Sequence, residues 1–427
     1  MNMTRQAAQL LARAQQRRDE LNAALGMRRA HLPLRYWRQQ AHFTTPAANE
    51  ATARKAVESG TGPMGRLLAR FEISAELLAE RLELPATTVS AALAQPRRAP
   101  LVMLDGEDAQ ALRADVAERG REAAVRVLHE ADWGGADGPP TLRFYRPSGL
   151  NLPTAAEDLV TVLYNAGRAC DPGAYPLDGI VFPKIEHPEE VDWVLATLDD
   201  VEAALHLEPG RIRLAVLVES GWCVAQLSAI VHRAIPRLCA LILGLADYAA
   251  DLGLPTIANQ HAVADWARAA VVTAAGAAGV PAIDGMTLAY PVADPHLDRA
   301  ANRERFLARV EQVYRDALHA RDMGMVGKWV GHPAQLFAVL LAFDAMGDAD
   351  DLERAAQQVT GYVAAVQDEA RGATIIEGLM ADRATDRHAR VRLRRAVAMG
   401  HFDPGRALDL GVIEPHELAD AQAAWRR

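Results

Sequence analysis

The stretch Leu214-Ala215-Val216-Leu217-Val218-Glu219-Ser220 sets an unbroken apolar run directly before a carboxylate. A run of that length, closed by a polar residue, reads as a strand buried on both faces, because a half-exposed strand would alternate. Farther along, Leu241-Ile242-Leu243-Gly244-Leu245-Ala246-Asp247 repeats the arrangement. Working outward, further strand-like runs lie at Leu101–Leu104, Thr141–Tyr145, Gly179–Phe182, Ala240–Leu243 and Pro281–Ile283. Segments of helical period separate them, among them Glu189–Leu205, Val224–Ala234 and Ala262–Ala278. Strand alternating with helix implies a parallel sheet with crossover helices. A doubly wound sheet would want a glycine-rich phosphate turn after its first strand, and none is present. The predicted fold class is α/β, a (β/α)8 TIM barrel. In such a barrel the loops after the strands converge on one mouth. The charged residues expected at strand ends, Asp105, Arg143, Lys184, Glu219 and Asp247, are therefore site candidates.

The chain has 427 residues, half of them hydrophobic. That suits one barrel of roughly 250–300 residues with smaller appendages. The expected organisation is a helical N-terminal extension at 1–40 and a barrel at 41–340, the latter interrupted by a helical insert at 60–100. A helical lid or oligomerisation region follows at 341–427. The net charge of -9 argues against nucleic acid or an anionic membrane as main partner. Apolar runs such as Leu336–Phe343 are too short to span a bilayer. The Arg-rich start carries Leu10, Leu11, Ala14, Leu21 and Leu25 at helical period, as a transit peptide would, but Asp19 and Glu20 interrupt it. It is read as a surface or interface helix. Cys170, Cys223 and Cys239 form no CxxC, which suggests reduced thiols and a cytoplasmic protein.

Two carboxylates placed after neighbouring strands, Glu219 and Asp247, can jointly hold a hard cation. Mg²⁺ (or Mn²⁺) suits one or two carboxylates with water and substrate oxygens, and would polarise the carbonyl of a 2-oxo acid. Lysine is also rare: of 46 basic residues only Lys55, Lys184 and Lys328 are Lys. A lysine kept against that bias points to a need for a compact ammonium.

Several segments together resemble the citrate-lyase β-subunit / malyl-CoA lyase superfamily. Leu104-Asp-Gly-Glu-Asp108-Ala resembles "LDLEDA", Phe182-Pro-Lys184-Ile-Glu-His resembles "PKxE", and Val218-Glu219-Ser resembles "IET". Gly244-Leu-Ala-Asp247-Tyr-Ala-Ala-Asp-Leu-Gly253 resembles "GxxDxxxDLG", and Gly279-Val-Pro-Ala-Ile-Asp284-Gly resembles "GxPxIDG". Gly327-Lys328-Trp-Val-Gly-His332-Pro-Ala-Gln335 resembles "GKWxIHPxQ". The resemblance implies a metal-dependent carbon–carbon lyase or aldolase acting through an enolate on a hydroxy acid or its CoA thioester, with a small 2-oxo acid as partner. It implies Glu219 and Asp247 as metal ligands. Arg143 matches the Arg of "VRIN" that neutralises the enolate oxygen, with Arg146 as a rival because Phe-Tyr follows Arg143. Glu107 and Asp108 match the acidic pair that orients this Arg. Lys184 is expected at the substrate, paired with an acid at the mouth; a Schiff-base aldolase using Lys184 is the alternative within enzymes. His332 is read as a turn residue, and Lys328 as either structural or facing an anion. Asp105-Gly106-Glu107 departs from "DLE", and Gly331 from the Ile of "IHP".

Ile376-Glu377-Gly-Leu-Met380-Ala-Asp382 looks like the superfamily's C-terminal "DGxMID", with Glu377 for Asp and Ala381 for Ile. The resemblance makes Asp382 a general acid or base supplied to a neighbouring subunit's site, and hence implies a homo-oligomer, a trimer or hexamer. Within the insert, Ser74–Leu93 also resembles a helix-turn-helix reader. However, Glu83 stands where the turn favours Gly, and no Arg, Lys, Asn or Gln occurs in the second helix before Gln95 to reach base edges. A helical lid or oligomer contact is expected there; a regulatory or scaffolding barrel carrying this insert is the alternative outside enzymes.

Overall fold

Eight short parallel strands close on themselves in sequence order. They are β1 (Ala41–Pro46), β2 (Leu101–Asp105), β3 (Leu142–Arg146), β4 (Gly179–Phe182), β5 (Arg213–Val218), β6 (Leu238–Leu243), β7 (Ala282–Asp284) and β8 (Gly327–Val330). The computed structural model describes residues 5–26, 29–108, 113–135, 138–257, 260–344, 347–368, 372–376 and 378–425. β6 is buried at every position and β5 at all but its first. One face of each meets the barrel interior and the other the ring of helices, so neither face selects polar residues. Neighbouring strands are in simple register: Asp105 pairs with Arg146 across β2 and β3, and Asp284 with Lys328 across β7 and β8. The eighth barrel helix runs Pro333–Asp344, four residues past the expected boundary at 340.

The chain before β1 forms the barrel floor. Tyr36 donates to the Asp178 carbonyl at 3.1 Å, and Gln39 Nε2 to the Cys239 carbonyl at 3.1 Å. The preceding helix Arg5–Leu25 leaves Leu10, Leu11, Leu21 and Leu25 exposed.

The insert between β1 and β2 is three helices, Pro63–Arg70, Ala75–Leu82 and Ala86–Ala94. It is docked on the helix Arg299–Asp322 through stacking of Phe71 on Phe306, with centroids 4.6 Å apart. Arg81 bonds Glu304 and Glu311, and Arg315 reaches Glu83 at 3.0 Å. Glu83 takes a left-handed φ of 56° to end its helix. Of the would-be reading helix only Val89 is buried.

The C-terminal region carries helices Ala349–Asp368, Arg383–Ala398, Pro404–Asp409 and Leu418–Trp425. Between the first two stands an antiparallel hairpin, β9 (Ala373–Ile376) with β10 (Leu379–Asp382). Thr374, Ile375 and Ile376 are β-branched, and Gly378 accepts a φ of +79° in the turn. Among the described residues no helix is long and apolar enough to cross a membrane.

Candidate active site

The C-terminal ends of β2 and β3 deliver Asp105 and Arg146 side by side, because the two strands have equal length and pair in register. Arg146 Nε donates to Asp105 Oδ1 at 2.7 Å and Nη2 to Oδ2 at 2.6 Å. Nη1 donates to Asp108 Oδ2 at 3.2 Å and lies 3.0 Å from Glu107 Oε2. The angle to Glu107 is too poor for a hydrogen bond, and Oε2 is left buried without one. The guanidinium also stands over Trp329 of β8, 5.2 Å from the ring centroid. Burial works against its charge, but Asp105, Glu107 and Asp108 outweigh burial and raise its pKa. The backbone bends sharply after Asp105. Gly106 N–H donates to the Arg146 carbonyl at 2.8 Å, and a Cβ on Gly106 would come within 2.6 Å of Tyr145 Oη. The Gly in Asp105-Gly106-Glu107 is thus required by this close approach.

Lys184, after β4, holds a left-handed φ of 55°, rare for a residue with a Cβ and found where a site dictates the backbone. This turn aims its N–H at Glu219 Oε1, 2.7 Å away, and its Nζ at Asp247 Oδ1, 2.6 Å away. Nζ is also 3.6 Å from Glu219 Oε1 and 3.8 Å from Glu107 Oε1. Burial opposes the ammonium, but Glu219, Asp247 and Glu107 prevail and hold it above the usual lysine range. Glu219 follows β5 directly; Asp247 sits in the first turn of the helix Leu245–Asp251 after β6. Burial pushes the Glu219 carboxyl up to about 7, with Asp247 adding to the shift and Lys184 opposing it. Glu107 goes up to about 8, again chiefly by burial, with Arg146 opposing.

The cluster thus gathers five carboxylates, Asp105, Glu107, Asp108, Glu219 and Asp247, around two cations, Arg146 and Lys184. It favours an added positive charge. Glu219 Oε2 is buried without a hydrogen-bond partner, as an atom reserved for a cation would be. Among the described residues no group of three or more His, Cys, Asp or Glu side chains is arranged around one point. A pair of carboxylates still fits Mg²⁺, which keeps water and substrate oxygens in its shell.

Arg143, expected at the enolate oxygen, lies outside this cluster. It is the second residue of β3, three positions from Arg146, so the strand's period of two puts the two side chains on opposite faces. Its Nη1 donates to the Pro176 carbonyl at 3.2 Å and its guanidinium covers Trp133, both outside the cluster. The rival Arg146 occupies the mouth. Lys328 is fully buried, donating to Asp284 Oδ2 and the Gly285 carbonyl at 2.6 Å each, while Arg268 holds Asp284 Oδ1 at 2.8 Å. It is a packing cation. His332 Nδ1 accepts from Ala334 N–H at 3.2 Å, and burial lowers its pKa to about 4, so it is a neutral turn residue. Asp382 caps the helix Arg383–Ala398, accepting from Ala384 N–H at 2.9 Å and Thr385 N–H at 3.0 Å. Those hydrogen bonds hold its carboxyl below the usual range. Among the described residues no hydrogen bond or ion pair joins it to Arg146 or Glu219. Glu377, quoted with it above, lies outside the described residues. Sequence reasoning missed the clamp role of Asp105 and the platform of Trp329. A charged residue set directly after each of the runs Leu101–Leu104 and Thr141–Tyr145 was the available signal for the first.

The sequence profile of the HpcH/HpaI aldolase/citrate lyase family matches residues 87–313. The chain is 30% identical over 314 residues to an L-malyl-CoA/β-methylmalyl-CoA lyase of Rhodobacter capsulatus, covering 70% of this chain and 87% of that one. A similarly named lyase of Cereibacter sphaeroides is 29% identical over 317 residues, with the same coverage. A citrate lyase structure from Burkholderia xenovorans superposes with a TM-score of 0.53 at 21% identity, over 75% of this chain and 87% of that one.

Proposed function

The chain belongs to the HpcH/HpaI aldolase/citrate lyase family and is a carbon–carbon lyase, and from that premise we propose a divalent-metal-dependent aldol or Claisen-type reaction on a hydroxy acid or its CoA thioester. The observation that carries the reading is the juxtaposition of the clamped Arg146 fork with the Glu219–Asp247 pair at one barrel mouth. Glu219 and Asp247 would hold Mg²⁺ or Mn²⁺, which when bound supplies Lewis acidity toward a 2-oxo acid such as glyoxylate, pyruvate or oxaloacetate.

The remaining work falls to the chain's own groups. In the cleavage direction the hydroxyl would pass its proton to a general base, for which the Asp382 carboxylate of a neighbouring copy is the candidate; the adjacent carbon–carbon bond breaks, and the electron pair passes to an enolate. Arg146 places fixed positive charge where the oxyanion develops, and Asp105, Glu107 and Asp108 keep its fork from turning away. Lys184 positions Glu219 and Asp247 and adds charge for a substrate carboxylate. The enolate must then take up a proton. The Asp382 carboxyl of a neighbouring copy would return the proton it took from the hydroxyl, which makes the working form an oligomer. The alternative of a Schiff base at Lys184 needs a neutral amine, whereas three carboxylates around Nζ stabilise the ammonium.

The test is cleavage of a malyl thioester by chelator-treated protein, followed by added Mg²⁺ or Mn²⁺. Activity lost to chelator and restored by metal is expected. Full activity in chelator, with borohydride trapping of substrate on Lys184, would overturn the metal reading.

A further inference from the structure

The end of the barrel away from Arg146 holds a cavity of about 400 Å³. Arg38 and Gln40 line it from the segment before β1, Pro100 from before β2 and Thr141 from before β3, while Met399 and Ala424 close it from the C-terminal helices. The strands between this floor and the mouth are five or six residues long, so the two lie roughly 15–20 Å apart.

Arg38 is 8% exposed, and among the described residues the one hydrogen bond its side chain makes is a long 3.4 Å contact from Nε to the Arg35 carbonyl. Among the described residues no carboxylate lies within ion-pair reach of it. Burial lowers its pKa to about 10, so it remains a cation at neutral pH; Asp420 and Asp178 help only through space, and Arg35 repels it. Its basic neighbours are already committed, Arg97 to Asp344 and Arg98 to Asp132. Gln40, 5% exposed, has a buried Oε1 without a hydrogen-bond partner; an amide flip would present its Nε2 instead. A buried guanidinium without a counter-charge is costly, and a ligand that brings the missing charge repays the cost.

We propose that this cavity is a second ligand site, separate from the mouth, that binds a small carboxylic acid with an apolar body. The carboxylate accepts hydrogen bonds from the Arg38 fork and the Gln40 amide, and the body lies against Pro100, Pro140 and Met399. Arg97, Arg98 and Asp132 also line the cavity but are held in ion pairs, so the one guanidinium left without a counter-charge among the described residues there, Arg38, matches one planar monoanion better than a phosphate dianion. Because Met399 and Ala424 form part of the wall, an occupied site ties the C-terminal helices to the barrel floor.

The experiment is calorimetric titration of the full-length protein with butyrate and benzoate, with butyramide and benzamide as neutral controls. At least one acid should bind at one per chain while its amide does not. Arg38→Gln removes a charge that has no partner, so the fold is kept, and it should weaken binding at least about tenfold, the scale of one lost charge-assisted pair. Gly138→Phe probes the site independently: Gly138 lines the cavity and a Cβ there meets nothing within 4 Å, so a ring is accommodated without a clash and narrows the cavity at its wall. It should weaken binding by a similar factor. Failure of both acids to bind, equal binding of acid and amide, or an affinity unchanged by either substitution would each overturn the proposal.

Discussion

Arg146 and Asp105 are locked by two parallel hydrogen bonds, Nε to Oδ1 at 2.7 Å and Nη2 to Oδ2 at 2.6 Å, at the ends of two strands paired in register. The fork is therefore held in one orientation without a ligand, as the proposed place beside a developing oxyanion requires. Arg146→Lys keeps the charge and loses the fork. A fall in kcat of at least ~100-fold is expected, the size of removing one oxyanion donor. Arg143→Lys should leave kcat near the parent value, since that side chain faces away. Steady-state rates of the two variants decide between them; the reverse pattern would return the role to Arg143.

Asp105→Asn breaks the clamp from its other side. It leaves a buried cation facing only Glu107 and Asp108, at a cost of about 3 kcal/mol for opening a buried pair. Urea unfolding of the metal-free protein measures this. A loss under ~1 kcal/mol would mean that the pair behaves like a surface contact.

Glu219→Gln and Asp247→Asn should each weaken Mn²⁺ binding by at least about tenfold, measured by calorimetry or electron spin resonance. Lys184→Met should act in the opposite direction on affinity, because it removes an ammonium that now sits 2.6 Å from Asp247 Oδ1. Unchanged affinity in both carboxylate variants would end the assignment.

The raised carboxyls predict how pH acts on stability. Burial lifts Glu219 to about 7 and Glu107 to about 8, above the unfolded value of about 4.3. An acid raised in the fold stabilises it fully below the unfolded pKa, and that contribution is lost as pH climbs through the folded pKa. The metal-free protein should therefore lose melting temperature between about pH 5 and pH 8.5 through these groups. Metal needs the ionised carboxylate, so the increment in Tm from Mg²⁺ should grow over the same window. Melting curves with and without Mg²⁺ test this; an increment that is flat with pH would contradict it.

Asp382→Asn separates a catalytic role from a capping role. Asn caps helices about as well as Asp, so the melting temperature should hold while turnover falls. Mixing this variant with Glu219→Gln protein under subunit exchange should restore part of the activity, because some sites then draw both intact groups from different chains. No recovery, or full turnover in the single variant, would remove Asp382 from the reaction.

The barrel was legible in the sequence because fully buried parallel strands must be short unbroken apolar runs, and such runs recur from Leu101 to Ile283 with helical periods between them. Glu219 was legible for the same reason, as a charge set directly after such a run. The hairpin at Ala373–Asp382 was not, since its strands are four residues each within helix-rich sequence. The arginine could not be settled by spacing either. Arg143 and Arg146 lie on one five-residue strand, and which of them faces the interior depends on the register of β3 against β2 and on where β3 begins. The left-handed turn at Lys184, which joins Glu219 to Asp247, likewise arises only when three strand ends meet. Sequence by itself determined the succession of elements and the charges at their ends, because burial and periodicity are local properties of the chain. Only the tertiary structure decided which charges touch, because contact depends on register, strand parity and closure, which are properties of the whole barrel.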